Sequence, residues 1–311
     1  MSETTPRFVD CHLHCALENF EAFHATFAEI GLCGAWNIRR VSPDRATERE
    51  FLDLLELTEK LAPGDVHTFY WPDWQQVSDR TFPKRCAAKI EEYHKTGIAG
   101  VKVWKNMGLG LKDPQGRLMM LDDERLNPIW EKLVELKLIL IAHVADPANF
   151  WLPMDRSNPA YETLKARPEW HFGKPGLPSR EKLFEARNRL HRRFKDLVIV
   201  NCHCGGYAQS LEQLCGWMDE MPNFHASIGA RHIREEGEVV GAFLERHGDR
   251  ITFETDLGMR KGRRPDFAWN REMYAKAIGR LVNLFGPFGG DVLARFARRN
   301  AERLIRGVRE A

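Results

Sequence analysis

A run of five residues near the N-terminus, Asp10-Cys11-His12-Leu13-His14, has the residue types and spacing of a metal-binding strand. Side chains alternate across an extended strand, so Asp10, His12 and His14 are predicted to share one face. Two imidazoles on one face can bind a single divalent ion, and a carboxylate beneath them can orient one of the rings. Two histidines at this spacing are weak evidence by themselves, because the pattern also arises by chance.

Three later apolar stretches end in further ligand-type residues. His143 ends LKLILIAH, His203 ends LVIVNCH and Asp256 ends ITFETD. Each histidine taken alone could be a loop residue that is hydrogen-bonded to the backbone. Their recurrence at the ends of apolar stretches instead favours a metal centre at the C-terminal edge of a parallel sheet, where barrel enzymes keep their chemistry.

The chemistry expected of such a centre is hydrolytic. Zinc held by neutral imidazoles and a carboxylate lowers the pKa of its water from about 15.7 to about 7, which yields hydroxide at neutral pH. A carboxylate that touches this water can accept its proton and return it to the leaving group. A nearby imidazole can stabilise the oxyanion that forms.

The stretches that would position these residues alternate with amphipathic helical patterns. We predict eight strands, at residues 8–14, 34–38, 66–71, 100–104, 138–143, 197–203, 224–228 and 251–256. This alternation predicts an α/β fold of the TIM type, a parallel eight-stranded (β/α)8 barrel, as a single domain over residues 1–311. A doubly wound sheet is the alternative, but it normally has a glycine-rich turn after its first strand, where this chain reads HCALEN.

One connection, residues 145–178, is much longer than the others. It follows the fifth predicted strand and contains six prolines together with Trp151 and Trp170. Irregular connections of this length are uncommon unless they are lids or binding loops, and the loops after barrel strands lie over the active face. We therefore predict a lid insertion within the barrel domain.

The order of these motifs resembles the amidohydrolase superfamily. The matching features are DxHxH on the first strand, histidine on the fifth, HxGG on the sixth, aspartate on the eighth and Asn-Ala-Glu-Arg-Leu in the final helix. More narrowly, the chain looks like the amidohydrolase-related branch, which contains both metal-dependent hydrolases and non-oxidative decarboxylases. The resemblance covers essentially the whole chain and is specific for fold and metal, but not for substrate.

The resemblance implies a role for each residue of the centre. By it, His12, His14 and Asp256 hold the metal and His143 is a further ligand. His203 polarises the substrate or binds a second metal, and Asp256 also acts as the general base. We expect one divalent ion, zinc, which manganese could replace because ligand sets do not define the metal uniquely.

Two positions depart from the pattern of the relatives. Glu254 stands where relatives often have glycine, and alternation points it inward below Asp256. Lys102 lies on the fourth strand, where binuclear relatives have a carboxylated lysine that bridges two metals. Lys102 could do the same or could be an ammonium group paired with Glu254. A buried charge needs a partner, so we favour the ion pair and a single metal, with Lys105 as the other candidate for carboxylation.

Other residues have a structural interpretation beside the functional one. Cys202 and Cys204 flank His203, so they should face the helical shell as small apolar residues. Trp104 belongs to a set of tryptophans near strand ends or in the long connection that could form an aromatic substrate pocket or simply pack in the core. The others are Trp71, Trp74, Trp151 and Trp170. Arg231 could bind a substrate carboxylate or form a surface salt bridge.

The composition excludes several partners and compartments. The 311 residues include 46 basic and 44 acidic ones, so the net charge of +2 recruits neither nucleic acid nor membrane. No apolar run reaches the roughly 18 residues of a membrane helix, and the N-terminus has no secretory signal. Seven cysteines are an odd number scattered over a large chain. This usage fits the reducing cytoplasm, and a homo-oligomer is compatible with the sequence.

The first functional hypothesis is a hydrolase in which metal-bound hydroxide cleaves an amide, ester or lactone bond of a small organic substrate. The alternative is non-oxidative decarboxylation of an aromatic or unsaturated carboxylic acid with the same ligands. A binding scaffold without activity is a third hypothesis. The intact ligand set argues against it, because an inactive relic should have lost at least one ligand.

Overall fold

The computed structural model describes residues 6–145, 147–206, 210–230, 232–259 and 266–309, and within them nine parallel strands form one sheet. The strands are β1 (Phe8–Cys15), β2 (Leu32–Arg40), β3 (Val66–Trp71), β4 (Gly100–Val103), β5 (Ile139–Ala142), β6 (Ile199–Asn201), β7 (Phe224–Ile228), β8 (Ile251–Phe253) and β9 (Leu257–Met259). Their order is β8-β7-β6-β5-β4-β3-β2-β1-β9. The sheet therefore runs through its strands in chain order and adds β9 beside β1.

Helices follow most of the strands. The helices are α1 (Leu17–His24), α2 (Phe27–Ile30), α3 (Glu48–Leu61), α4 (Phe82–His94), α5 (Asn127–Glu135), α6 (Tyr161–Ala166), α7 (Arg180–Arg193), α8 (Cys202–Gly205), α9 (Leu211–Glu220), α10 (Glu238–His247), α11 (Phe267–Phe285), α12 (Gly290–Ala294) and α13 (Asn300–Arg309). Short 3-10 helices cover Trp74–Ser78, Glu124–Leu126, Ala148–Trp151, Pro168–Trp170 and Gly286–Phe288, and a π-helical turn covers Arg295–Arg299. None of the described helices combines the length and the apolar character that crossing a bilayer requires.

Local sequence explains where the outer helices begin and which face they bury. Thr47 caps α3 in a capping box, since its hydroxyl accepts the Glu50 N–H while the Glu50 carboxylate accepts the Thr47 N–H. Phe51 and Leu54 of α3 are buried, as the helical period requires of a helix packed on a sheet. Ser179 caps α7 by accepting the N–H of Lys182. Parallel strands between such helices give the TIM-barrel-like α/β fold that the sequence predicts.

The strand count differs from the prediction at the end of the sheet. Residues 251–256, predicted as one strand, comprise β8 and a break that precedes β9. β8 pairs with β7, whereas β9 pairs with β1. Asp256 causes the break because its φ of 60° is left-handed, and its N–H donates to His12 O at 2.8 Å. The two edges of the sheet are thus joined by only three residues, 254–256.

The long connection after β5 is partly regular and packs against the rest of the protein. It contains α6 and two of the 3-10 helices. Phe150, Leu164 and Phe172 from this connection are buried in the same apolar cluster as β4 and β5. The connection therefore contributes to the core, and its function as a lid stays a prediction.

Candidate functional site

Three of the predicted site residues meet around the carboxylate of Asp256. Its Oδ1 lies 3.3 Å from His14 Nε2 and 3.5 Å from His12 Nε2, and its Oδ2 lies 3.8 Å from His203 Nε2. β1 supplies two of these imidazoles, the end of β6 supplies the third, and the segment after β8 supplies the carboxylate. The C-terminal edge of the sheet therefore gathers residues that lie up to 244 positions apart, from 12 to 256.

The hydrogen bonds of the two β1 histidines leave their Nε2 atoms as acceptors. His14 Nδ1 lies 2.9 Å from Ile38 O, and His12 Nδ1 lies 3.1 Å from Glu254 Oε2, so each Nδ1–H must donate to an oxygen that can only accept. Burial, followed by the charge of Lys102, lowers the pKa of His12 well below its ordinary value, so this ring is neutral. Imidazole lone pairs and a carboxylate oxygen then converge on one point.

This donor set fits a divalent metal. Converging acceptors repel one another unless a cation lies between them. In a tetrahedral zinc site with bonds of about 2.0–2.1 Å, ligand atoms are roughly 3.3–3.4 Å apart. The separations of 3.3 and 3.5 Å in the structure match this spacing. His12, His14 and Asp256 also form one of three described groups whose donor atoms lie within 4.8 Å of one another.

The other two groups of potential ligands surround His203. One combines His12, Cys202 and His203, and the other combines His203, His232 and Glu254. His143 belongs to none of the three groups, although its ring meets that of His203 edge-on at 4.4 Å between centroids. The structure therefore places His143 beside the centre, and its service as a metal ligand stays a prediction.

Glu254 connects the histidines of the site to one another. Its Oε1 accepts the His203 N–H at 2.8 Å and the His203 Nδ1–H at 2.7 Å, and it lies 3.2 Å from His232 Nδ1. Its Oε2 accepts from Ser227 Oγ at 2.6 Å and from His12 Nδ1 at 3.1 Å. Complete burial tends to raise the pKa of Glu254, but the charge of His203 and these hydrogen bonds outweigh it and hold that pKa well below the usual value.

Asp256 is also a carboxylate. Burial tends to raise its pKa, but His12, His14 and His203 together lower it far below the ordinary value. About a third of its side chain is exposed, whereas Glu254 is fully buried. The two carboxylates therefore differ in position: Asp256 faces the mouth of the site, and Glu254 supports the imidazoles from below.

The ion pair predicted between Lys102 and Glu254 is not formed. The Lys102 ammonium nitrogen contacts His12 Nε2 at 3.2 Å and Cys202 Sγ at 2.9 Å, and the described residues show no Lys102–Glu254 contact within 4.0 Å. Glu254 finds its partners among imidazole and hydroxyl donors instead. Carboxylation of Lys102, the alternative to the ion pair, stays a hypothesis.

The expected alternation of β6 is also wrong. Alternation predicts that Cys202 faces the helical shell, and it therefore also predicts that its neighbour Asn201 faces inward with His203. Instead, the Asn201 amide contacts His191 of α7 at 3.2 Å and so faces the helical shell, while Cys202 faces Lys102 in the interior. His203 still points inward because its backbone is left-handed, with φ 57° and ψ 53°. A left-handed conformation costs a non-glycine residue roughly 1–2 kcal/mol.

Asp10 does not orient an imidazole, contrary to expectation. Its carboxylate accepts from Thr255 Oγ1 at 2.5 Å, from Tyr274 OH at 2.7 Å and from the His12 N–H at 3.1 Å. Burial raises the pKa of Asp10 to about 7 in spite of these hydrogen bonds, which lower it. Asp10 therefore fixes the backbone of β1 to the segment that carries Asp256, and Glu254 orients the rings.

The predicted aromatic pocket is only partly assembled. The Trp71 ring lies 5.8 Å from that of His14, and Trp104 lies 6.0 Å from Trp71, so these two indoles line one side of the site. Trp74 is instead a core residue whose Nε1–H donates to Lys102 O at 2.9 Å. Arg231, the other predicted substrate-binding residue, lies outside the described residues.

Sequence reasoning missed His232 and Ser227. His232 is buried, its ring lies 5.0 Å from that of His203, and its Nδ1 accepts the Gly229 N–H at 3.0 Å. The sequence signal that could have identified His232 is its place shortly after the end of β7, since His203 and Asp256 also come shortly after the ends of their strands. Ser227 gave no signal, since a serine within an apolar strand usually bonds only to backbone.

Comparison with known proteins identifies the family. The chain matches the family model described as Amidohydrolase over residues 74–309, and it therefore belongs to that family. No curated protein matches the chain.

Solved structures similar to this one share the fold at low sequence identity. An uncharacterised TIM-barrel protein, Bb4693, from Bordetella bronchiseptica has a TM-score of 0.61 at 15% identity, over 97% of this chain and 99% of that one. A 2,6-dihydroxybenzoate decarboxylase complexed with 2,6-dihydroxybenzoate has a TM-score of 0.59 at 15% identity, over 97% and 100%. An amidohydrolase from Pseudomonas aeruginosa has a TM-score of 0.50 at 12% identity, over 98% and 97%.

Proposed function

We propose that this protein is a metal-dependent hydrolase that cleaves an amide, ester or lactone bond in a small organic substrate. The observation that carries the proposal is the convergence of His12 Nε2, His14 Nε2 and Asp256 Oδ1 at 3.3 and 3.5 Å. Membership of the amidohydrolase family supports it. Decarboxylation of an aromatic or unsaturated acid is the second candidate, because a decarboxylase has the same fold.

The residues that would hold the metal are His12, His14 and Asp256, with His143 as a further ligand. We propose a single ion, zinc, which manganese could replace. The chemistry that a divalent ion supplies in such a site is Lewis acidity and a lowered pKa of water, from about 15.7 to about 7.

Asp256 is the proposed general base. Its carboxylate is ionised and about a third of its side chain is exposed, so it is available to accept a proton from an attacking water and pass it to the leaving group. Its Oδ2 lies 3.8 Å from His203 Nε2, so a substrate beside both groups would meet a proton acceptor and an imidazole.

His203 is proposed to act on the substrate oxygen. Its Nδ1–H is held by Glu254, so Nε2 is an acceptor in the neutral ring and a donor only in the imidazolium form. The ionised Glu254 stabilises that imidazolium by its charge. An imidazolium at this position would donate to a developing oxyanion.

The surroundings of the centre would select the substrate. Trp104 and Trp71 offer planar apolar surface beside His14, and we propose that they contact the substrate. The connection at residues 145–178 is proposed to cover the site as a lid. All seven cysteines are free, which is consistent with the proposed cytoplasmic location.

Elemental analysis of the purified protein, followed by a panel of amides, esters, lactones and aromatic acids, tests the proposal. We expect one equivalent of divalent metal and turnover of a hydrolysable substrate with uptake of one oxygen from labelled water. Release of carbon dioxide without that oxygen would favour decarboxylation. A protein that binds no metal under any loading condition and turns over nothing would contradict both candidates.

A further inference from the structure

The turn that presents His203 is unusual because it is left-handed over consecutive residues. His203 and Cys204 have φ values of 57°, and Gly205 and Gly206 continue at 67° and 72°. Glycine adopts this conformation readily, but His203 and Cys204 do not. The first end of the turn is held by Glu254, which accepts the His203 N–H at 2.8 Å. Its other end needs an anchor as well.

Arg187 of α7 provides an anchor at that end. Its side chain is fully buried, and Nη1 donates to Gly205 O at 2.5 Å. Nε and Nη2 both donate to Asn188 Oδ1, at 3.0 and 2.9 Å. Burial lowers the pKa of Arg187 to about 9, which leaves the guanidinium charged at neutral pH.

Aromatic rings rather than a carboxylate stabilise this buried cation. The guanidinium carbon lies 4.3 Å from the Trp217 ring centroid, 4.8 Å from that of Phe224 and 4.9 Å from that of Phe184. Among the described residues Arg187 has backbone and amide partners and no carboxylate within 4.0 Å. Because stacking fixes the plane of the guanidinium, its Nη1–H keeps one direction, toward the turn.

Arg180, about two helical turns earlier on the same face of α7, binds the next carbonyl. Its Nη2 donates to Gly206 O at 2.6 Å, and its Nε donates to Ala145 O at 2.8 Å. The guanidinium carbon of Arg180 also lies 5.2 Å from the Phe184 ring centroid. Two successive carbonyls of the turn are therefore bound by two arginines of one helix.

We propose that Arg187 is a positioning residue that, together with Arg180, holds the left-handed turn and so directs the His203 imidazole toward Asp256. Without a donor at Gly205 O, the turn can relax toward right-handed backbone. The imidazole would then leave the Glu254 carboxylate and Asp256. The catalytic consequence rests on the function proposed for His203, but the structural consequence does not.

The test uses Arg187→Met in the full chain labelled with ¹⁵N-histidine. The His203 Nδ1–H, held at 2.7 Å by a carboxylate, should give a downfield, slowly exchanging proton resonance that is assigned by its loss in His203→Gln. In Arg187→Met we expect this resonance to shift or vanish. On the substrate found by the panel, kcat should fall at least about tenfold, since a small misplacement of a reacting group is costly, with KM within about twofold.

Two further variants complete the experiment. Arg187→Lys keeps a cationic donor within the aromatic rings and should restore much of the resonance and of kcat. Arg250→Met is the matched control, because Arg250 also donates to a backbone carbonyl, Met221 O at 3.1 Å, but just before β8, at the opposite end of the strands. It should change neither readout.

The proposal is overturned if folded Arg187→Met keeps the His203 resonance and kcat of the unaltered protein. If Arg187→Met does not fold, Arg180→Met decides: a shifted resonance supports the proposal, and an unchanged one overturns it. The resonance is read without metal or substrate. Failure of the proposed function, seen as absent metal and turnover in the unaltered protein, is therefore distinguishable from failure of this inference.

Discussion

Replacing Glu254 by glutamine is expected to weaken metal binding, although Glu254 is not a proposed ligand. The amide has nearly the same shape as the carboxylate but has one donor group where the carboxylate has a second acceptor. Its oxygen should stay at the Oε1 position, because the His203 N–H and Nδ1–H both point there, at 2.8 and 2.7 Å. The NH2 group then faces His12 Nδ1 and Ser227 Oγ.

The consequence falls on the tautomer of His12. Ser227 can rotate its hydroxyl and accept from the amide, but His12 Nδ1–H would face another donor at 3.1 Å. A proton moved to Nε2 would remove the lone pair that faces Asp256 at 3.5 Å and would also face the Lys102 ammonium at 3.2 Å, so neither tautomer leaves His12 well placed to bind a metal. A hydrogen bond to a charged group is worth about 1.5–3 kcal/mol. Loss of a partner behind a ligand typically costs about 10–100-fold in metal affinity.

The assay is competition for zinc with a chromophoric chelator, which measures the dissociation constant of each variant. Ser227→Ala is the control, because it removes one partner of Glu254 at 2.6 Å without affecting the His12 tautomer. We expect its zinc affinity to remain within about threefold of the unaltered protein, whereas Glu254→Gln should lose about 10–100-fold. Equal zinc affinity for Glu254→Gln and the unaltered protein would refute the argument that Glu254 sets the His12 tautomer.

Three further predictions concern the site and the stability of the fold. Asp256→Asn should lose about 10²–10⁴ in turnover with the fold intact, because an amide cannot accept a proton; unchanged kcat would exclude Asp256 as the base. His203→Ala should keep most of its metal and lose most of its kcat, whereas His12→Ala should lose both. Elemental analysis and kinetics measure the metal content and kcat of the two variants. Equal metal loss in both would argue that His203 is a required ligand. Burial, reinforced by nearby arginines, lowers the pKa of His225 from 6.5 to about 4, so between these values the unfolded chain takes up a proton and the folded protein does not. The contribution of His225 to the free energy of unfolding should therefore be complete above pH 6.5 and should fall by roughly 3 kcal/mol as the pH decreases to about 4. Urea unfolding of His225→Gln should show a free energy of unfolding that depends less on pH over this range.

Residues within extended strands could be placed from the sequence. His12 and His14 lie on one strand, and the period of two in an extended chain is enough to put both on the same face. His143, His203 and Asp256 come at the ends of apolar stretches, and this position predicted that they lie together, since parallel strands end at the same edge of a sheet. The family, the alternation of strands and helices and the positions of His12, His14, His203 and Asp256 were therefore available from local pattern, whereas His232 and Ser227 were not.

The alternation of side chains gives wrong predictions where the backbone leaves the extended conformation. His203 and Asp256 have φ values of 57° and 60°, so alternation no longer predicts which way a neighbouring side chain points. Cys202 consequently faces the interior and Asn201 the helices, opposite to expectation. Left-handed residues other than glycine are not visible in the sequence, because surrounding contacts stabilise them.

The sequence by itself determined which residue types could form a metal centre and the edge of the sheet where they meet, because those features follow from the short-range geometry of strands. Only the tertiary structure decided their partners. Glu254 binds His12 across 242 positions, Ser227 across 27 and His203 across 51, and Lys102 meets His12 rather than Glu254. Such pairings depend on how the two ends of the curled sheet come together in space, and the spacing of residues along the chain does not show how close those ends lie.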